Sequence, residues 1–114
     1  EPKTKLNHHF FFETNENLVS VNSLERVIDI ADFMKTNSAY KAKITGYADS
    51  DAGTILNEVL SKKRAENIKK YLVSLGVDGS RISTFYKGEA EPLAPNNDKL
   101  NKQLNRRVDV ILEK

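Results

Sequence analysis

The 114-residue chain predicts an α+β fold: a β-α-β-α-β-β mixed four-stranded sheet with its helices packed on one face. Three observations lead there. Two long segments carry apolar residues at helical spacing, and each lies between stretches that read as strands. A last alternating stretch closes the chain after a proline-containing loop. Two strand-helix-strand units favour right-handed crossovers, which leave both helices on the same side of the sheet.

Residues 1–7 are polar with an early proline and read as a linker end, so the domain is assigned to 8–114. Phe10-Phe11-Phe12 is a short aromatic strand signal, which core packing explains better than a sugar-stacking surface. The polar run from Glu13 to Asn17 breaks it. Val21, Leu24, Val27, Ile28, Ala31 and Met34 then repeat at helical spacing and place a first helix at Val21–Thr36, with Ser23 as a cap if it starts late. Lys41 to Tyr47 alternates polar and apolar, as a half-buried strand should. Asp49 to Gly53 is a polar loop, after which Thr54 or Asn57 can cap a long second helix. Gly76 stops that helix, and Asp78-Gly79-Ser80 is a turn. Arg81 to Gly88 is a third strand pattern. A loop from Glu89 to Asn97 holds Pro92 and Pro95, Asp98 to Leu104 suggests a short helical turn, and Arg107 to Leu112 alternates as the final strand.

Composition removes several function classes. Eighteen basic residues against 16 acidic ones leave a net charge of +2, too small and too mixed to argue for nucleic acid. The absence of Cys excludes disulfides, thiol catalysis and cysteine-ligated zinc, and suits an oxidising compartment and the cytosol equally. No apolar run approaches the length that spans a bilayer. A chain that begins at Glu1 is expected to be a mature or excised piece, with any membrane anchor in the rest of the parent protein.

The second helix holds the one anomaly. At about 100° per residue, Leu60, Ile68, Tyr71, Leu72 and Leu75 share an arc, and Arg64 and Asn57 fall inside it. An arginine on an apolar stripe keeps its charge, so it must reach solvent or find an anion. Asp49, at the end of the preceding strand, is an obvious nearby carboxylate. Two readings compete, a structural ion pair or a pocket for a zwitterionic ligand between Asp49 and Arg64. In sheets of this kind ligands sit beyond the carboxyl ends of strands, which makes Asp49 and the Thr14-Asn15 loop neighbours of one site.

The matching residues then identify a resemblance. Gly46-Tyr47-Ala48-Asp49, Asn57, Leu60-Ser61, Arg64-Ala65, Tyr71-Leu72, Gly76-Val77, Arg81-Ile82, Gly88-Glu89, Pro92 and Asn105-Arg106-Arg107-Val108 together resemble the OmpA-like C-terminal domain. That domain is shared by outer-membrane proteins, peptidoglycan-associated lipoproteins and flagellar stator subunits. The resemblance runs from Phe10 to the end of the chain, with the 15-residue interval from Asp49 to Arg64 in place. It implies a non-catalytic periplasmic domain, without cofactor, that binds peptidoglycan and tethers an outer-membrane protein to the cell wall of a Gram-negative bacterium. The ligand group it implies is the diaminopimelate of the stem peptide, whose ammonium would pair with Asp49 and whose carboxylate would lie on the planar Arg64 guanidinium. Asn57, the backbone at Ala48, Asn15 and Arg107 are the remaining candidate ligand contacts. The family commonly has His-Thr where this chain has Tyr47-Ala48, so the threonine hydroxyl is missing and only the backbone N–H at Ala48 can contribute.

Blander readings sit beside these. Asn57 can equally fix the loop or cap the helix. Arg106 and Arg107 are adjacent on a strand, so only one can face the site, and structural use suits both. His8-His9 lacks a third metal ligand at suitable spacing. Lys62-Lys63 and Lys69-Lys70 read as a solvated helix face. Asp49 and Asp51 lack a general acid or nucleophile to work with, and an arginine neighbour would lower the Asp49 pKa, which argues against catalysis. The alternative to wall binding is a protein-interaction module on the same scaffold, with which a homodimer is compatible. An enzyme acting on the wall ranks below both.

Overall fold

The computed structural model describes residues 5–11, 21–47, 54–87 and 107–114, with the side chains of 5, 21, 22 and 54–57 outside that set. Strand β1 (Lys5–Phe11) leads into helix α1 (Val21–Thr36), strand β2 (Lys41–Gly46), helix α2 (Thr54–Ser74) and a 3-10 turn at Gly79–Arg81. Strands β3 (Ile82–Tyr86) and β4 (Arg107–Glu113) complete a sheet of order β1-β4-β2-β3. The β2–β3 pair is parallel across the α2 crossover, while β4 lies antiparallel to both β1 and β2. This is the predicted α+β sheet, with β4 inserted between the two strands that α1 joins.

Strand alternation decides the two faces. Phe10, Ala42, Ile44, Ile82, Val108, Val110 and Leu112 point one way and are buried in a single apolar core. The helices cover that face with spaced stripes: Val27, Ile30, Ala31 and Met34 from α1, and Ala65, Ile68 and Leu72 from α2. Gly46 lets α2 come close. A Cβ built there would fall on the Ser61 backbone carbonyl, so only the missing side chain permits the contact. Gly76 ends the helix region with φ of 103°, and the Lys35 ammonium donates to the Leu75 carbonyl at 2.9 Å beside it. Arg81 donates to the Tyr40 and Asn37 carbonyls at 2.7 and 3.0 Å and so ties the turn before β3 to the turn before β2.

Two boundaries differ from the sequence reading. Strand β1 takes in Lys5, Leu6 and Asn7, which were assigned to the lead-in, because β4 runs to Glu113 and offers ladder partners to all three. Leu6 also packs on the core. Ladder pairing, not aromatic content, sets this edge: Phe10 is buried while Phe11 is exposed, and Phe12 lies outside the described residues. Strand β3 starts one residue late, since the Asp78 carboxylate accepts from the Ser80 N–H at 2.9 Å and draws Arg81 into the 3-10 turn. The loop from Glu89 to Asn97 and the helical turn at Asp98 to Leu104 lie outside the described residues.

The adjacent histidines of β1 go to opposite sides of the sheet. His8 sits between β1 and α1 with Leu6, Asp29, Ile30, Phe33 and Leu112. Burial, and then the charges of Arg26 and His9, hold its pKa below the ordinary 6.5. The unfolded chain therefore binds the His8 proton more tightly than the native one. Stability should fall as pH drops through the ordinary histidine range, and level off below the depressed native value. Urea midpoints measured from about pH 7.5 to about pH 5 should decline less in His8→Gln than in the parent. Identical declines would refute the assignment. Gly46→Ala should destabilise by about 2 kcal/mol or more, because two backbones must separate. Gly79→Ala is the control, since its added Cβ meets nothing nearer than 3.8 Å.

Candidate functional site

Arg64 is the largest fully buried side chain among the described residues, 1% exposed, on the face of α2 that packs on the sheet. The close approach at Gly46 sets it there. Ser61 rests on the end of β2, and Arg64, one turn further along the helix, reaches the first residue beyond that strand. Its Nη1 donates to the Tyr47 carbonyl at 3.0 Å. A cation removed from water to this extent is stabilised only by acceptors fixed in place, and a charge-assisted bond to a carbonyl is of that kind.

Arg107 reaches the same residue from the other side. Val108, Val110 and Leu112 take the helix-facing positions of β4, so Arg107, Asp109 and Ile111 alternate to the opposite face. The Arg107 guanidinium lies over the Tyr47 ring, 3.8 Å from its centroid, and its Nε donates to Asp109 at 3.1 and 3.3 Å. Asp109 Oδ1 is also 2.6 Å from His9 Nδ1, and the Tyr47 N–H donates to the Arg107 carbonyl at 2.8 Å. The arginine is 5% exposed and the tyrosine 7%.

Of the residues singled out from sequence, the structure brings Arg64 to the carboxyl end of β2, where the strand-end rule places a site. Arg107 lies on the opposite face of the sheet and, among the described residues, meets Tyr47 there. Asn57 falls in α2 with its side chain outside the described set, and Asp49, Ala48 and Asn15 lie outside the described residues. Tyr47, Asp109 and His9 were not singled out as site residues. The Arg107-Val108-Asp109 pattern was nonetheless a usable signal, since residues two apart on a strand share a face. Of the four lysines read as a solvated face, Lys62, Lys63 and Lys70 are exposed and Lys69 is half-buried. Among the described residues no group of three or more His, Asp or Glu side chains is placed to hold a metal ion, and no helix is long and apolar enough to cross a membrane.

Comparison with known proteins agrees with this architecture. The sequence profile described as the OmpA family matches residues 11–106. Outer membrane porin F of Pseudomonas fluorescens is 35% identical over 102 residues, covering 90% of this chain and 31% of the porin. The peptidoglycan-associated lipoprotein of Buchnera aphidicola subsp. Baizongia pistaciae is 32% identical over 111 residues, covering 97% of this chain and 64% of the lipoprotein. The chain thus spans less than two thirds of either relative. The crystal structure of the peptidoglycan-associated lipoprotein from Burkholderia pseudomallei superposes with a TM-score of 0.89 over 92% of this chain and 89% of that one, and at 24% identity shows the shared fold. The chain belongs to the OmpA family, a family of non-catalytic structural and binding domains.

Proposed function

We propose that this domain binds peptidoglycan without making or breaking bonds, through the diaminopimelate of the stem peptide. Membership of the OmpA family supports association with the cell wall, as does the similarity to a peptidoglycan-associated lipoprotein. The observation that carries the finer reading is the buried Arg64, anchored on the Tyr47 carbonyl at the end of β2, two residues before Asp49 in the chain. A desolvated guanidinium together with a carboxylate is the pair that a ligand carrying an ammonium and a carboxylate on one carbon calls for. Asp49 takes the ammonium and Arg64 the carboxylate, with Asn57, the Ala48 N–H and Asn15 as neighbours. Arg107 serves the site through Tyr47. The domain works in the periplasm and tethers an outer-membrane protein to the wall, where many copies facing a polymer make weak single-site affinity sufficient.

Selectivity follows from the same chemistry. A stem peptide with lysine at this position lacks the distal carboxylate, and Arg64 then meets the ligand with no anion opposite it. Calorimetric titration with a diaminopimelate stem peptide should show binding, and the lysine counterpart should bind weaker by about 2 kcal/mol, roughly thirtyfold. Equal affinity would discard the carboxylate argument, and binding of neither peptide would discard wall recognition. Asp49→Ala and Arg64→Ala should each abolish pull-down on purified sacculi while the circular-dichroism spectrum stays that of the parent. Full retention by either folded variant would show that the site lies elsewhere.

A further inference from the structure

Two buried arginines approach one residue from opposite faces of the sheet. Arg64 takes the Tyr47 carbonyl from the helix side, while Arg107 covers the Tyr47 ring from the other. Tyr47 is the first residue after β2, held to β4 by its N–H bond to the Arg107 carbonyl. Its peptide plane therefore lies at the end of the ladder, two residues before Asp49 in the chain. The direction of that carbonyl depends on the backbone torsions of Tyr47, and these are coupled to the rotamer of its ring.

We propose that Tyr47 is the positioning residue of the Arg64 site, clamped from behind by the His9–Asp109–Arg107 chain. The chain is continuous. His9 Nδ1 meets Asp109 Oδ1 at 2.6 Å, Asp109 accepts from Arg107 Nε, and the guanidinium packs flat enough on the ring to bring its central carbon within 3.8 Å of the centroid. The four residues come from three strands or their ends: His9 from β1, Asp109 and Arg107 from β4, and Tyr47 from the end of β2. Fixing the ring fixes the carbonyl, and the carbonyl fixes where the Arg64 guanidinium sits. Arg107 thus acts on the ligand site across the sheet without facing it. Its planar cation is essential to this role, because a lysine ammonium on a flexible stem cannot both cover the ring and hold Asp109 along a fixed edge. Tyr47 contributes its ring and its carbonyl to the clamp.

This rests on the reading of Arg64 as the anion-binding group, and its test is chosen to stand apart from that reading. The Arg64 side-chain N–H resonances are recorded by NMR in the whole chain without ligand, assigned by their loss in Arg64→Lys. Tyr47→Leu and Arg107→Lys should shift those resonances and speed exchange of their protons with water. The same Tyr47→Leu and Arg107→Lys variants should bind diaminopimelate stem peptide roughly tenfold more weakly. If Tyr47→Leu does not fold, Asp109→Asn, which removes the charge that holds Arg107, takes its place. Unmoved Arg64 signals in the folded variants would overturn the proposal. Moved signals in a domain that binds no stem peptide would uphold the clamp and remove the wall reading, and unmoved signals in a domain that binds would do the reverse.

Discussion

The bond from Arg64 to the Tyr47 carbonyl is the contact around which the rest of the domain is arranged. A guanidinium buried to 1% exposure loses its hydration, and it is held only where the protein presents acceptors in fixed positions. Strand β2 supplies one at its carboxyl end, Gly46 removes the side chain that would keep α2 away, and Ser61 occupies the space so gained. Each of these is a small local choice. Together they place a desolvated cation at the carboxyl end of a strand.

The two faces of the sheet share this work unequally. On the helix side the core is aliphatic and closely packed, with Val108, Val110, Ile44 and Ile68 all fully buried. The opposite face carries Lys41, Lys43 and Phe85 in the open, yet it is closed at the site end, where Thr45, Tyr47 and Arg107 are buried. At that closed end the buried Arg107 pairs with the half-buried Asp109, which the exposed His9 meets from outside. Buried ionic groups of this sort add little net stability compared with apolar packing, but they restrict the number of arrangements available to the residues they touch. Here the restricted residue is the one whose carbonyl holds Arg64.

Most of the architecture was legible from periodicity. The bounds of α1 followed from the recurrence of Val27, Ala31 and Met34, and Gly76 marked the end of the long α2 segment. The start of β1 was hidden because Lys5, Leu6 and Asn7 have no strand character of their own and are ordered by pairing with β4, a hundred residues away in sequence. Arg64 stood out as a charge on an apolar stripe. Arg107 was harder, since its sequence neighbour Arg106 left the choice of face open and only the ladder register resolves it. The role of Tyr47 could not be read locally at all. An aromatic residue at a strand end looks like core, and its two arginine partners come from positions 17 and 60 residues further along the chain.

The most direct test is the crystal structure of the domain with a diaminopimelate-containing stem peptide. Recognition through Arg64 requires the distal carboxylate of the ligand within hydrogen-bond distance of its guanidinium, with Nη1 still on the Tyr47 carbonyl and the ligand ammonium on Asp49. A stem peptide bound on another surface, or one whose carboxylate is held by other residues while Arg64 remains sealed in the core, would contradict it.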